Sequence, residues 1–157
     1  EKLLYNYPVE SHVYVMDRKS GEQKVFEADS RFTKNVVEKC ESGNYEQWER
    51  HNIENPHFYD LMYLPQTGMY ARLHLGGIEF DATRDIQNLM DDRDLYLTFF
   101  DKDFVVVGEA KLPSHRYNYF TGWRETNDGV ALFVDNSLDE NEQTEELVLD
   151  IVRLQAD

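Results

Sequence analysis

Oxygen-bearing side chains in an acidic run near the C-terminal end could coordinate a cation. Asp135, Asp139 and Asn141 offer the carboxylate and amide oxygens that calcium prefers. An EF-hand loop also needs a central glycine and a terminal glutamate at fixed spacing, and this run lacks the glycine and misplaces the glutamate. We therefore predict a solvated acidic loop without a metal and keep these three residues as a weak calcium candidate.

A basic pair in one predicted strand could bind an anion or a carbohydrate. Arg72 and His74 alternate along the strand, and the pair Gly76-Gly77 follows them. Glycines at such a position let a ligand or a neighbouring backbone come close. Cross-strand partners could satisfy the same side chains, so both interpretations stay open. Arg72 and His74 are our first candidates for ligand binding.

Aromatic side chains are the second candidates, because rigid rings give large contact areas at little entropic cost. Trp48 lies near Tyr45 in one segment, and Trp123 lies near Tyr119 in another. Together these residues could form a surface that stacks on sugars or binds a partner. Most other Tyr and Phe residues alternate along predicted strands and are expected to pack in the core.

No residue pattern identifies a catalytic centre. Cys40 is the one cysteine, which excludes an intramolecular disulfide, and we expect a buried, unpaired thiol. The five histidines lack the close spacing of a metal site on one element. With 31 Asp and Glu residues, some pair of carboxylates always suits acid and base roles, so their presence carries no information. The sequence predicts no catalytic residue and no cofactor, favouring a protein that is not an enzyme.

The charge of the chain restricts its partners. The formal net charge is −15 over 157 residues, and no Lys or Arg stripe offsets it. Such a field repels nucleic acid and anionic membrane surfaces. We therefore expect no nucleic-acid partner, and membrane contact only through a lipid anchor outside these residues.

Alternating apolar runs separated by polar turns predict an all-β fold with one short helical insertion. The strands form antiparallel meanders of three, four and three strands, in the segments 1–27, 58–112 and 113–157. The insertion, 28–57, contains two stretches with helical signals, Thr33 to Cys40 and Tyr45 to His51. A further loop, Asp81 to Asp94, should contain a short amphipathic helical turn.

Successive four-stranded meanders are typical of the blades of a β-propeller. The ten predicted strands correspond to about two and a half blades, which predicts a single propeller-like domain or a fragment of one. A single β-sandwich or barrel is the alternative, since it would also have short, regularly spaced strands. Connectivity separates the two, because strands of a blade pair with their neighbours in sequence whereas Greek keys cross between sheets.

These hairpins also carry a family resemblance between Phe58 and Leu154. The chain resembles the C-terminal half of an uncharacterised gut-bacterial (Bacteroides-type) lipoprotein family with a six-bladed, propeller-like fold. The resemblance rests on the following segments: the hairpin from Tyr59 to Arg72, the run from Leu95 to Glu109, Leu112-Pro113, Tyr117, Phe120, Gly129 to Leu132, and Leu147 to Leu154.

The resemblance implies an exported, lipid-anchored protein at the periplasmic or outer-membrane surface, with its lipidated end outside this chain. It brings no catalytic residues, and the residues alone leave a cytoplasmic location open. We predict a binding or scaffold module with a protein or carbohydrate ligand; the alternative is a propeller-type hydrolase or lyase acting on carbohydrate or peptide. The apolar edges at Leu3 to Tyr7 and Leu147 to Leu154 should mediate self-association or pair with N-terminal blades outside this chain.

Overall fold

A computed structural model describes residues 1–41, 43–120, 122–139 and 147–155. Sheet 1 contains the first three strands, and sheet 2 the next five. Sheet 3 contains the last three strands. In chain order the elements are β1 (Lys2–Asn6), β2 (Val13–Asp17), β3 (Gln23–Phe26), α1 (Tyr45–Glu54), β4 (His57–Phe58), β5 (Met62–Leu64), β6 (Met69–Leu75), α2 (Ile86–Asp91), β7 (Leu95–Phe100), β8 (Val106–Lys111), β9 (Trp123–Glu125), β10 (Gly129–Phe133) and β11 (Leu149–Arg153).

All strand pairs are antiparallel, and each sheet is built from strands that follow one another along the chain. In sheet 2 the predicted first strand is interrupted, so that β4 and β5 both pair with β6. The all-β class with antiparallel meanders and a short helical insertion is confirmed, and the described strands form no closed barrel.

Sheet 2 is covered on both faces. Its strands alternate, so that Leu73 and Leu97 face Val130 and Leu132 of sheet 3 in the larger apolar cluster. The opposite face carries Phe100, which packs in a second cluster with residues of sheet 1. The three sheets are therefore layered in chain order, and sheets 1 and 3 each direct one face outward.

Only the second predicted helix of the insertion forms. Residues 33–40 form no helix, because the Ser11 N–H donates to the Asn35 carbonyl and the Val37 N–H donates to that of Val9, both at 2.8 Å. This stretch is rich in β-branched residues, whose helix propensity is low, so pairing with the segment before β2 prevails. The prediction of a helix from Thr33 to Cys40 is therefore wrong.

The second helix and the predicted helical turn both form as expected. In α1 the Asn44 side chain caps the N-terminus by accepting from the Gln47 N–H at 2.9 Å. In α2 the Asp85 side chain accepts from Gln87 N–H, and Leu89 is buried on the inner side. Neither of the two helices in the described part of the chain has the length and hydropathy of a membrane span.

Candidate functional site

A cavity of about 600 Å³ opens between α1, α2 and the segment that follows β8. Its walls are mostly apolar, and five aromatic side chains line it: Tyr45, Trp48, Tyr59, Tyr119 and Phe120. We call this the aromatic cavity. Its volume lies in the range of pockets that enclose small molecules or the anchoring side chain of a partner.

One wall of the aromatic cavity belongs to α1. Tyr45 and Trp48 are three residues apart, so both project from the same side of the helix. Their rings are tilted by 31° with centroids 5.6 Å apart, and half of the Trp48 surface is exposed (50%). The capped N-terminus of α1 fixes the backbone that carries both rings.

The opposite wall is held by a chain of contacts from sheet 3 and α2. The Tyr59 hydroxyl donates to the Tyr119 carbonyl, and the Tyr59 ring packs on Trp123 with centroids 4.6 Å apart. Burial raises the pKa of Tyr59, so its phenol stays protonated at neutral pH. The Tyr119 hydroxyl in turn donates to the Gln87 side chain of α2 at 3.2 Å.

A buried guanidinium forms the inner end of the aromatic cavity. Arg93, 6% exposed, donates to the carbonyls of Gly76 (2.8 Å), Asn52 (3.0 Å) and Asn55 (2.6 Å). The last two carbonyls are at the C-terminal end of α1, where a positive charge is favourable. Burial lowers the pKa of Arg93 to about 10, which leaves it charged at neutral pH.

Replacing Arg93 by Met should lower the free energy of unfolding by about 2–3 kcal/mol, because three buried carbonyls lose a charged donor. The aromatic cavity lets water reach some of these carbonyls, which limits the loss. Chemical denaturation monitored by circular dichroism measures the change. The exposed Arg124 offers a matched control, and Arg124→Met should change stability by less than about 0.5 kcal/mol. Equal effects of the two variants would contradict this role of Arg93.

The polar side chains of the aromatic cavity contact the protein itself. His51 Nε2 lies 2.6 Å from the Glu38 carbonyl, and the Asn55 side-chain amide donates to the His51 carbonyl at 2.8 Å. The His57 ring packs on Tyr59, and burial together with the Arg93 charge lowers the pKa of His57. Among the described residues that line the cavity, Glu49 is the one carboxylate.

The aromatic candidates from the sequence lie close together. Trp48, Tyr45 and Tyr119 line the aromatic cavity, and Trp123 supports its wall from behind through Tyr59. Sequence reasoning missed Arg93 and Tyr59. Arg93 follows Asp91-Asp92 in a loop that looks solvated, and no local pattern indicates that its side chain reaches the end of α1.

The other predicted pair, Arg72 and His74, lies elsewhere. Both side chains are fully buried on the face of sheet 2 that carries Phe100, and neither lines the aromatic cavity. Gly77, beyond them, admits protein backbone, because a Cβ at this position would lie 2.2 Å from the Glu54 carbonyl oxygen. The close approach predicted from Gly76-Gly77 is thus made by α1.

Arg72 joins two sheets. Its guanidinium donates to the carbonyls of Ser11 and Ala28 at 2.7 Å each. Ser11 lies between β1 and β2, and Ala28 follows β3, so both acceptors flank strands of sheet 1. The guanidinium lies over the rings of Phe58 and Phe100, 4.9 and 5.2 Å from their centroids. Burial lowers the pKa of Arg72 to about 10, so the charge persists at neutral pH.

His74 is stacked beside this guanidinium. Its ring lies between Phe58 and Tyr96, with centroids 5.3 and 5.0 Å away, and Glu109 Oε1 is 3.9 Å from Nε2. Neither ring nitrogen has a hydrogen-bond partner among the described residues. Burial, reinforced by the Arg72 charge, lowers the pKa of His74 to about 3. The imidazole is therefore neutral at physiological pH.

The remaining candidates lie at the surface. Of the weak calcium set, Asp135 and Asp139 are described and Asn141 lies outside the described residues. Over the described ranges, no group of three or more His, Cys, Asp or Glu side chains is arranged to hold a metal ion. Cys40 is partly exposed in the non-helical part of the insertion, so the expectation of a buried thiol is wrong.

Comparison with known proteins identifies a family without a described activity. The model of the domain of unknown function DUF4221 matches residues 1–111. The chain is also similar to the crystal structure of a DUF4221 member from Bacteroides vulgatus, with 18% identity and a TM-score of 0.73. That match covers 96% of this chain and 45% of the other, so the chain spans less than half of its relative's length. No curated protein matches the sequence.

Proposed function

The chain belongs to the DUF4221 family, and from that premise we propose that it is a non-enzymatic binding module of an exported bacterial protein. The aromatic cavity is its binding site in this proposal. The segment matched by the family model contains the larger part of the cavity lining, including α1, Tyr59 and Arg93.

We also propose a propeller-like arrangement and a lipid-anchored location in the cell envelope. Three consecutive meanders with neighbour pairing support the first, since blades have this connectivity. The resemblance to a lipoprotein family and the similarity to a Bacteroides protein support the second. Family membership itself specifies neither.

The observation that carries the binding function is the convergence of partly exposed rings from separate parts of the chain. Trp48 comes from α1, Tyr59 from the β4–β5 connection, and Phe120, 74% exposed, from the segment before β9. Exposed aromatic surface is costly in water, and a ligand that covers it gains free energy. These rings also lie on elements that are tied together, so little ordering is needed on binding.

The polar contacts of the aromatic cavity favour an apolar group over a carbohydrate. A sugar needs many hydrogen-bond partners in addition to an aromatic platform. Here Arg93, His51 and Tyr59 already bond to backbone carbonyls of the protein. We therefore propose that the cavity receives a large apolar side chain of a protein partner.

The alternative function, a hydrolase or lyase, has less support from this geometry. Such an enzyme needs a nucleophile or an acid and a base whose reactive atoms face the substrate. In the cavity the Arg93 donors point to carbonyls at the end of α1, and His51 contacts the Glu38 carbonyl.

Binding of the neutral, apolar fluorophore N-phenyl-1-naphthylamine tests the cavity. We expect its fluorescence to rise on titration with the protein, and Trp48→Ala to weaken binding by about tenfold because one wall is lost. In a separate Trp123→Phe variant, Trp48 is the remaining tryptophan. Binding of the fluorophore to that variant should quench the Trp48 emission.

Tyr63 provides the matched control for this experiment. Its side chain is half-exposed, like that of Trp48, but it lies on β5 and does not line the cavity. Tyr63→Ala should bind the fluorophore as the parent protein does. If the parent fails to bind, or if both variants lose affinity equally, the cavity is not the binding site.

A further inference from the structure

The charged groups of the aromatic cavity are separated along α1. Glu49 lies in the first half of the helix and is the one carboxylate among the described lining residues. Arg93 donates to the carbonyls of Asn52 and Asn55, which are three and six residues further along. At a rise of about 1.5 Å per residue, these two positions are about 5 and 9 Å from Glu49 along the helix axis. One wall of the cavity therefore has a negative charge nearer its start and a positive charge at its end.

The charge of Glu49 has no ionic partner within the described part of the chain. None of the ion pairs in that part involves Glu49. The Glu49 charge, together with a hydrogen bond from the Tyr45 hydroxyl to its carboxylate, raises the pKa of Tyr45. The hydroxyl orients the carboxylate without neutralising it, and an ionised carboxylate has about four acceptor sites. Glu49 can therefore receive a cation from outside the chain.

The surroundings of Glu49 also favour a cation. The Tyr45 ring lies one helical turn away on the same side of α1, and Trp48 packs on it. The faces of such rings are electron-rich and attract positive groups. At the other end of the wall, the charge of Arg93 is shared among backbone carbonyls. The Asn55 Oδ1 atom is buried there without a hydrogen-bond partner among the described residues, and it adds the negative end of an amide dipole.

We infer that the protein partner of the aromatic cavity presents its large apolar side chain next to a Lys or Arg, whose cationic group lies against Glu49. This inference rests on the proposed function, because the apolar anchor in the cavity is what brings the cation to α1. Lys and Arg side chains carry donors and no acceptor, which suits a carboxylate without an ionic partner. The formal net charge of −15 also favours encounter with a basic segment.

Displacement of N-phenyl-1-naphthylamine by two matched peptides tests this inference. The peptides are acetyl-Lys-Trp-Lys-amide and acetyl-Gln-Trp-Gln-amide, which share an aromatic anchor and differ in charge. In low salt we expect the basic peptide to displace the fluorophore at an about fivefold lower concentration, the ratio that one partly exposed ion pair can supply. The preference should decrease as salt is added, because salt screens exposed ion pairs.

Two variants separate the effect of the site from that of the overall charge. Glu49→Gln removes the carboxylate but keeps a side-chain oxygen that can accept from Tyr45, and the preference for the basic peptide should fall below about twofold. Glu46→Gln removes the same charge from an exposed residue of α1 that does not line the cavity. This control should retain the preference of the parent protein.

The outcomes distinguish this inference from the proposed function. If the fluorophore does not bind the parent protein, both fail. If the fluorophore binds but the two peptides displace it equally, or neither displaces it, the cavity remains a binding site and the inference of a basic partner is wrong. Equal losses of preference in Glu49→Gln and Glu46→Gln also overturn the inference, because the overall charge would then explain the preference.

Discussion

Replacement of Arg72 by Met should lower the free energy of unfolding by about 3–5 kcal/mol. The guanidinium is a fully buried donor to two carbonyls of the chain segments that flank sheet 1. Without it, Ser11 and Ala28 keep buried acceptors that have lost their charged donor. Met fills part of the same space, so the loss is mainly one of hydrogen bonding and of the contacts with the Phe58 and Phe100 rings.

Urea denaturation followed by circular dichroism measures this effect, and two further variants establish its cause. Arg72→Lys should recover only part of the stability, since an ammonium lacks the planar fork that reaches both carbonyls. Arg31→Met serves as the control, because Arg31 is mostly exposed and its 3.8 Å ion pair with Glu109 is weak. A loss below about 1 kcal/mol for Arg72→Met would contradict the role of Arg72 as the link between sheets 1 and 2.

The strands could be predicted because their patterns are local. Leu95 to Phe100 and Met69 to Leu75 alternate with the period of a strand, and the connecting turns carry residues that tolerate turn geometry. Neighbour pairing follows from short connections, which leave little choice of partner. The all-β class and the grouping of strands therefore depend on information that lies within a few residues of each strand.

Tertiary contacts decide what the sequence could not show. The stretch 33–40 has a helical signal, but the Asn35 carbonyl accepts from the Ser11 N–H and the Val37 N–H donates to the Val9 carbonyl, so no helix forms. Arg72 and His74 look like a ligand site because polar residues in a strand usually face solvent or a binding site. Segments that flank sheet 1 cover Arg72, and the Phe58 and Tyr96 rings enclose His74, which no local pattern specifies.

The aromatic cavity was predictable only where its residues are close in sequence. Tyr45 and Trp48 are neighbours on one helix, so their association follows from local spacing. Tyr59 and Tyr119 are 60 residues apart, and their hydrogen bond depends on how sheets 2 and 3 pack. A residue such as Arg93 is identified only when the end of α1 is placed beside it.

Acidification should destabilise the protein through His74. Its pKa is lowered to about 3 in the folded state by burial and by Arg72, against an ordinary value of 6.5. The unfolded chain therefore binds more protons than the folded one between these two values, and stability falls as the pH drops from about 6.5 towards 3. This difference in pKa corresponds to a loss of at most about 4–5 kcal/mol in the free energy of unfolding between pH 6.5 and 3.

His74→Phe should remove this part of the pH dependence and leave the neutral protein at least as stable. The ring retains its stacking between Phe58 and Tyr96, while two buried nitrogens without partners among the described residues are eliminated. Urea denaturation at pH 7.5 and pH 5 measures the change, with the partly exposed His12 replaced by Gln as the control. Glu109 also faces this site and remains in both variants, so it does not confound the comparison. If His74→Phe shows the same acid-induced loss of stability as the parent, another group is responsible, and protonation of His74 does not limit the acid stability of the protein.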